Sequence, residues 1–186
     1  MSAPDPVRDF VIAGHGNLPK VKEMLAANPD LLNVNYEWAE NDRESAIQAA
    51  AHAGSVAVAE FLLGLGAPLE ICTAAMLGNQ ADVEKLLAQD AARINARGAH
   101  GIPLLTHTAL SGNAQLAQML FERGAREGMA YALNNAALMG HTEMARWLLA
   151  NGKPDLNWKN FQGKTALEIA TEKGNEALVK ILREHQ

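Results

Sequence analysis

The stretch DLNWKNFQGKTALEIATEKGN, residues 155–175, decides how the chain is read. It opens with room for a projecting turn, from Leu156-Asn157 to Thr165, and passes into a helix kept small on one face by Ala170-Thr171. That helix ends at Gly174, where a second begins. Working outward, the same order recurs at Gly16, Gly54, Gly78, Gly112 and Gly140. Eight residues beyond each glycine stands an apolar side chain: Met24, Leu62, Leu86, Leu120, Leu148 and Leu182. The next position holds Leu25, Leu63, Leu87, Phe121 and Leu149, and only in the last copy a charge, Arg183. Before the glycine, Ala50-Ala51, Ala74-Ala75, Thr108-Ala109 and Ala136-Ala137 keep a face small enough for helices to approach closely. A repeated pair of helices that cannot bury its own apolar face must stack on its neighbours.

The segments TALEIATEKGNEALVKIL, HTALSGNAQLAQML and NNAALMGHTEMARWLLANGKPDLN resemble the ankyrin repeat, whose unit is a β-turn and two antiparallel helices. In residues 155–175 the likeness follows the family's Asp-Val-Asn, Gly-x-Thr-Pro-Leu-His and Ala-Ala-x-x-Gly-His positions in order, with Ala166 for Pro and Glu168 for His. Elsewhere the tetrad is degraded to Ser45-Ala46-Ile47-Gln48 and Pro103-Leu104-Leu105-Thr106. The expected fold is an all-α ankyrin-type solenoid of about six helix-turn-helix repeats in a single domain spanning 1–186. Its capping repeats fall at about 5–35, opened by the Asp5-Pro6 N-cap, and about 157–186.

Glycine-to-glycine distances of 38, 24, 34, 28 and 34 residues alternate. Three junctions have room for a finger: 34–45, 94–103 and 156–165. At the other two, Gly66-Ala67 runs almost directly into a helix from Leu69 to Leu77, and Gly124-Ala125 into one from Ala130 to Met139. With helices packed roughly 8–10 Å apart, fingers at alternate junctions would stand about 20 Å from one another, leaving two gaps.

Composition narrows the function. Sixteen basic against 21 acidic residues give a net charge of -5, so no basic field draws in a phosphate backbone or an anionic membrane. A lone Cys72 builds no disulfide framework, no N-x-Ser/Thr sequon occurs, and the opening MSAPDPVRDF has neither a basic nor an apolar leader segment. A soluble, cytoplasmic, monomeric protein is expected, with no nucleic-acid or membrane partner.

Motifs of catalysis fail on inspection. Gly163-Lys164-Thr165 ends like a phosphate-binding loop, yet Trp158 occupies the position of its first glycine. Gly14-His15-Gly16 and Gly64-Leu65-Gly66 begin a dinucleotide fingerprint that Pro19 and Leu69 then break. Cys72 reads as a small core residue and Ser111 lacks a nucleophile elbow. Six histidines, 15, 52, 100, 107, 141 and 185, show no paired i, i+4 or C-x-x-C spacing, so no metal site and no cofactor is expected. His107 reads as buried, and His15 and His52, just before their glycines, as groove-facing.

Binding is what remains. The first finger carries Tyr36 and Trp38 among Glu37, Glu40, Asp42 and Glu44; the last carries Trp158 and Phe161 beside Lys159. Exposed aromatics are favoured interface anchors. In the resembled family the two residues before the helix-ending glycine face the concave side, which here places Met76-Leu77, Leu110-Ser111 and Leu138-Met139 in mid-groove, with His52 nearer the end. Two readings are open for these apolar pairs: slots for a partner's side chains, or burial within the protein itself. The expected function is therefore non-catalytic binding of another protein through Tyr36, Trp38, His52, Met76, Leu77, His100, Leu110, Leu138, Met139, Trp158 and Phe161. A regulatory subunit of a larger complex, or an ankyrin-type enzyme or small-ligand binder using the groove histidines, is the alternative.

Overall fold

The computed structural model describes residues 5–186; residues 1–4, which include the start of the stretch read as leaderless, lie outside the described residues. Six helix pairs follow one another: α1 (Pro6–Gly14) with α2 (Leu18–Ala27), α3 (Ala46–Ala53) with α4 (Val56–Gly64), and α5 (Ile71–Met76) with α6 (Gln80–Gln89). Then come α7 (Leu104–Ser111) with α8 (Ala114–Glu122), α9 (Met129–Met139) with α10 (Thr142–Gly152), and α11 (Ala166–Glu172) with α12 (Glu176–Glu184). The odd-numbered helices form an inner layer, each packed on the next, and the even-numbered ones an outer layer.

Small residues make the inner layer possible. Ala50, Ala74, Ala75, Ala109, Ala136, Ala137 and Ala170 are wholly buried where inner helices meet. Where α1 meets α3, a Cβ on Gly14 would lie 2.6 Å from the backbone oxygen of Ala46. Five of the six repeat glycines, Gly54, Gly78, Gly112, Gly140 and Gly174, adopt φ of 67 to 76°, the left-handed turn that ends a helix and that a side chain resists. At Gly112 a Cβ would also strike the ring of His141.

The outer helices bury Leu62, Leu120, Leu148 and Leu182 at the position eight residues past the glycine. In α2 and α6 the buried residue is the next one, Leu25 and Leu87, with Met24 and Leu86 only half-buried. These two helices, unlike α4 and α8, run into extended caps at Asn28 and Asp90 and then a short 3-10 turn, so their phase serves the fingers that follow.

Both finger-less junctions are as short as expected, with α5 and α9 starting at Ile71 and Met129 rather than Leu69 and Ala130. The three fingers differ from one another. The first is a β-hairpin, β1 (Asn35–Ala39) against β2 (Asp42–Ser45), turning at Asn41 with φ 64°. The second closes on a single bridge between Arg97 and Pro103. The third is a turn in which Lys164 O accepts from Asn160 N. Capping boxes Ser45/Gln48 and Thr165/Glu168 start α3 and α11. At the two ends, the Asp5 carboxylate accepts from the amides of Val7 and Arg8, and Arg183 is exposed.

The expected gap between the first two fingers is closed. His100 donates from its backbone N and from Nδ1 to the two oxygens of Asp42, at 3.2 and 2.8 Å. The reason lies in α5, only six residues long and without a finger of its own. It packs between α3 and α7 yet spaces them so closely that they also touch each other, and the second finger reaches β2. Among the described residues no helix is long and apolar enough to cross a membrane.

Candidate functional site

Stacking brings together histidines that the linear spacing kept apart. His15 caps α1 and His52 lies in the last turn of α3, near-equivalent places in adjacent repeats, and their rings meet edge-on at 4.9 Å. His100 arrives from the second finger, 5.3 Å from His52, held at φ 57° by the Asp42 clamp. All three Nε2 atoms face one oxygen, Glu44 Oε1, at 2.6 Å for His52, 3.5 Å for His100 and 3.9 Å for His15. Three of the six histidines, unpaired by any spacing along the chain, thus meet at one carboxylate. A search along one helix cannot see neighbours that lie on three repeats.

Glu44 differs from an ordinary solvated finger carboxylate. Its side chain is 0% exposed, with Oε2 accepting from Trp38 Nε1 at 2.7 Å and Oε1 from His52. Burial pushes its carboxyl up, but the hydrogen bond and charge of His52, the Trp38 bond and the His15 charge outweigh this and hold it below 4.5. Trp38 is thereby a half-buried support for Glu44, packed edge-on against Tyr36 at 4.8 Å and facing Arg8, rather than a free anchor on a finger.

Across the concave side stands the aromatic wall of the C-terminal repeats. Trp158 is half-buried and stacks on Tyr131 at 5.2 Å, while Phe161 is 91% exposed. His15, His52, His100, Ile102, Tyr131 and Phe161 line a hollow of about 480 Å³. A compartment of about 230 Å³ shares four of these residues and extends to Leu138 and Ile169. The concave face thus carries a solvent-open hollow of a size that could take a ligand or a few side chains. A larger depression of about 610 Å³ lies on the C-terminal cap between Thr171 and Glu184, with none of the clustered histidines in its lining.

The mid-groove apolar residues divide. Met76 is 1% exposed and Leu110 is buried, both within the N-terminal core cluster, and Leu77 is half-buried against it. These belong to the protein's own packing, which removes the first slot. Leu138 and Met139 stay 43% and 38% exposed. Met139 reaches back beside Leu110, its Cε 2.9 Å from where a Cβ on Gly54 would stand.

Several other polar side chains serve the packing of the stack. Asn134 and Asn135 on α9 donate to Lys164 O and Thr106 O, fixing the third finger and α7. His141 Nε2 donates to Leu110 O, His185 Nδ1 to Ile181 O, and buried His107 donates from Nδ1 to Pro103 O. Burial pushes the Cys72 thiol up to about 12, so it is no nucleophile.

Comparison with known proteins agrees with this architecture. Residues 104–186 match the family described as ankyrin repeats (3 copies). A curated protein of Treponema pallidum (strain Nichols), described as ankyrin repeat-containing, is 30% identical over 118 residues. The match takes in 60% of this chain and 39% of that relative, so the chain corresponds to well under half of the relative's length. Residues 104–186 are thus similar to ankyrin repeats, and the helix pairs before them continue the same stack.

Proposed function

We propose that this ankyrin-repeat stack is a non-catalytic recognition module that holds a segment of a partner protein in its concave hollow. The carrying observation is the exposed apolar group Leu138, Met139 and Phe161 beside Tyr131, on the face where the fingers converge. A solvent-exposed Phe at the rim of a hollow is held at a cost in water that a partner's apolar side chain would relieve. The hollow's volume suits one or two inserted side chains rather than a whole helix. We read residues 5–186 as one folding unit and the chain as acting singly.

The decisive experiment compares the wild-type chain with a Leu138→Asp/Phe161→Ala variant in quantitative capture from lysate, followed by titration of whatever the wild type retains. Both side chains are exposed, so circular dichroism of the variant should match wild type. The expected result is at least a tenfold loss of affinity. Equal affinity in the variant would remove the hollow from the interface.

A small-molecule ligand is the second reading, and the three imidazoles lining the 480 Å³ hollow favour it. It is separated from the first by whether the retained species is a protein.

A further inference from the structure

The protons on two of the three clustered histidines are fixed by partners that can only accept. His15 Nδ1 lies 3.2 Å from both Val11 O and Ile12 O, and His100 Nδ1 lies 2.8 Å from a carboxylate oxygen of Asp42. Each Nδ1 therefore carries hydrogen, and in a neutral ring each Nε2 presents a lone pair. Both lone pairs face Glu44 Oε1, itself an acceptor whose partner oxygen is already engaged by Trp38. Donor atoms from His15, His52 and Glu44 fall within 4.8 Å of one another, in a half-buried to buried setting. Lone pairs directed at a buried carboxylate repel it unless a proton or a metal cation stands between them.

We propose that His15, His52, His100 and Glu44 bind one divalent transition-metal ion, and that Zn2+ suits the donor set best. Three imidazoles and one carboxylate are a Zn2+ ligand set. Donors about 2.0–2.1 Å from a tetrahedral ion stand about 3.3 Å apart. The three nitrogen-to-Oε1 separations, 2.6, 3.5 and 3.9 Å, straddle that figure; His15, His52 and Glu44 already lie within 4.8 Å of one another, and His100 must draw closer to that group to complete the shell. His52 would give up its bond to Oε1 and carry its ring proton on Nδ1 instead. The outer contacts that a metal site needs are already in place: backbone carbonyls behind His15, Asp42 behind His100 and Trp38 behind Glu44. The hollow offers the ion a route in. Because the ligands come from α1, β2, α3 and the second finger, the ion ties three separate stretches of chain.

The test is calorimetric titration of the full chain, stripped with a chelator, with Zn2+ alone, alongside thermal denaturation. One equivalent should bind with a dissociation constant below about 1 µM and raise the melting temperature by several degrees. Co2+ in its place should give the visible absorption of a tetrahedral centre. The His15→Ala/His52→Ala variant should lose at least about 100-fold in affinity. Asp42→Asn, which leaves every ligand present but loosens His100, should lose about 10- to 100-fold. Zn2+ binding that is absent from the wild type, or unchanged in both variants, overturns the site and leaves the histidines as a hydrogen-bonded cluster. Should the double variant fail to fold, the Asp42→Asn affinity decides alone.

Discussion

Lowering the pH should destabilise this protein through one residue, His107. Its side chain is 0% exposed in α7, its Nδ1–H is bonded to Pro103 O, and its Nε2 has no partner among the described residues. Nε2 points at the backbone near Gly98, where a Cβ would lie only 2.7 Å away. Protonation would place an unpaired charge there. Burial lowers its pKa from 6.5 to about 4; the Pro103 bond opposes this weakly and the charge of His52 adds to it. The folded pKa lies below the unfolded one, so the unfolded chain binds the extra proton. Stability is then complete above about 6.5 and falls as the pH drops toward 4. The full loss is about 3 kcal/mol, of which about 2 kcal/mol falls between pH 7 and pH 5. With a urea m-value of about 2 kcal/mol/M, the midpoint moves by roughly 1 M. The assay is urea denaturation followed by circular dichroism at both pH values, for wild type and for His107→Asn, whose amide keeps the bond to Pro103 but does not titrate. The variant will be less stable at pH 7, so the comparison is between pH dependences. If both proteins lose the same amount between pH 7 and 5, His107 is not charging on unfolding and the argument is wrong.

Three further outcomes are expected. Trp38→Phe should cost about 1–3 kcal/mol in denaturant titration, because Glu44, buried and ionised, loses a donor; a neutral effect would mean that Glu44 finds water instead. Gly14→Ala should cost about 1–3 kcal/mol through its collision with the Ala46 backbone, whereas Gly64→Ala, where a Cβ meets nothing, should not destabilise at all. Deleting residues from 163 onward strips Ile169, Leu178 and Ile181 from the C-terminal core cluster, and light scattering should show aggregation; a monomer of unchanged stability would contradict the capping role of α11 and α12.

The repeat was legible because its signals are local: a glycine that turns, an apolar residue eight positions on, an alanine pair before. The cluster was illegible because its determinants are not. His15 and His52 could be placed on the groove side from their distance to a glycine, but nothing along the chain says that a histidine at position 100 comes to the same point. That requires the short α5, whose six residues draw the second finger onto the first. Glu44 was misread for a related reason: one residue before the helix-capping Ser45, it looked like part of an acidic loop. The hairpin alternation that turns it inward is set by pairing with Tyr36 across β1 and β2. Met76 and Leu138 stand at matching repeat positions, yet one is buried and the other exposed, since only the former has the N-terminal core closing over it.

The reach of Met139 across Leu110 to Gly54 has a mechanical meaning. A stack whose units touch only their immediate neighbours behaves as a spring, each coil yielding independently when the ends are pulled. Here a side chain from the fifth unit bears on the end of the second, with the fourth wedged between them. Pulled from its termini, such a chain should not lengthen unit by unit: the outer coils give first, and the strut across the inner bend holds the middle as one stiff block until Met139 slips free.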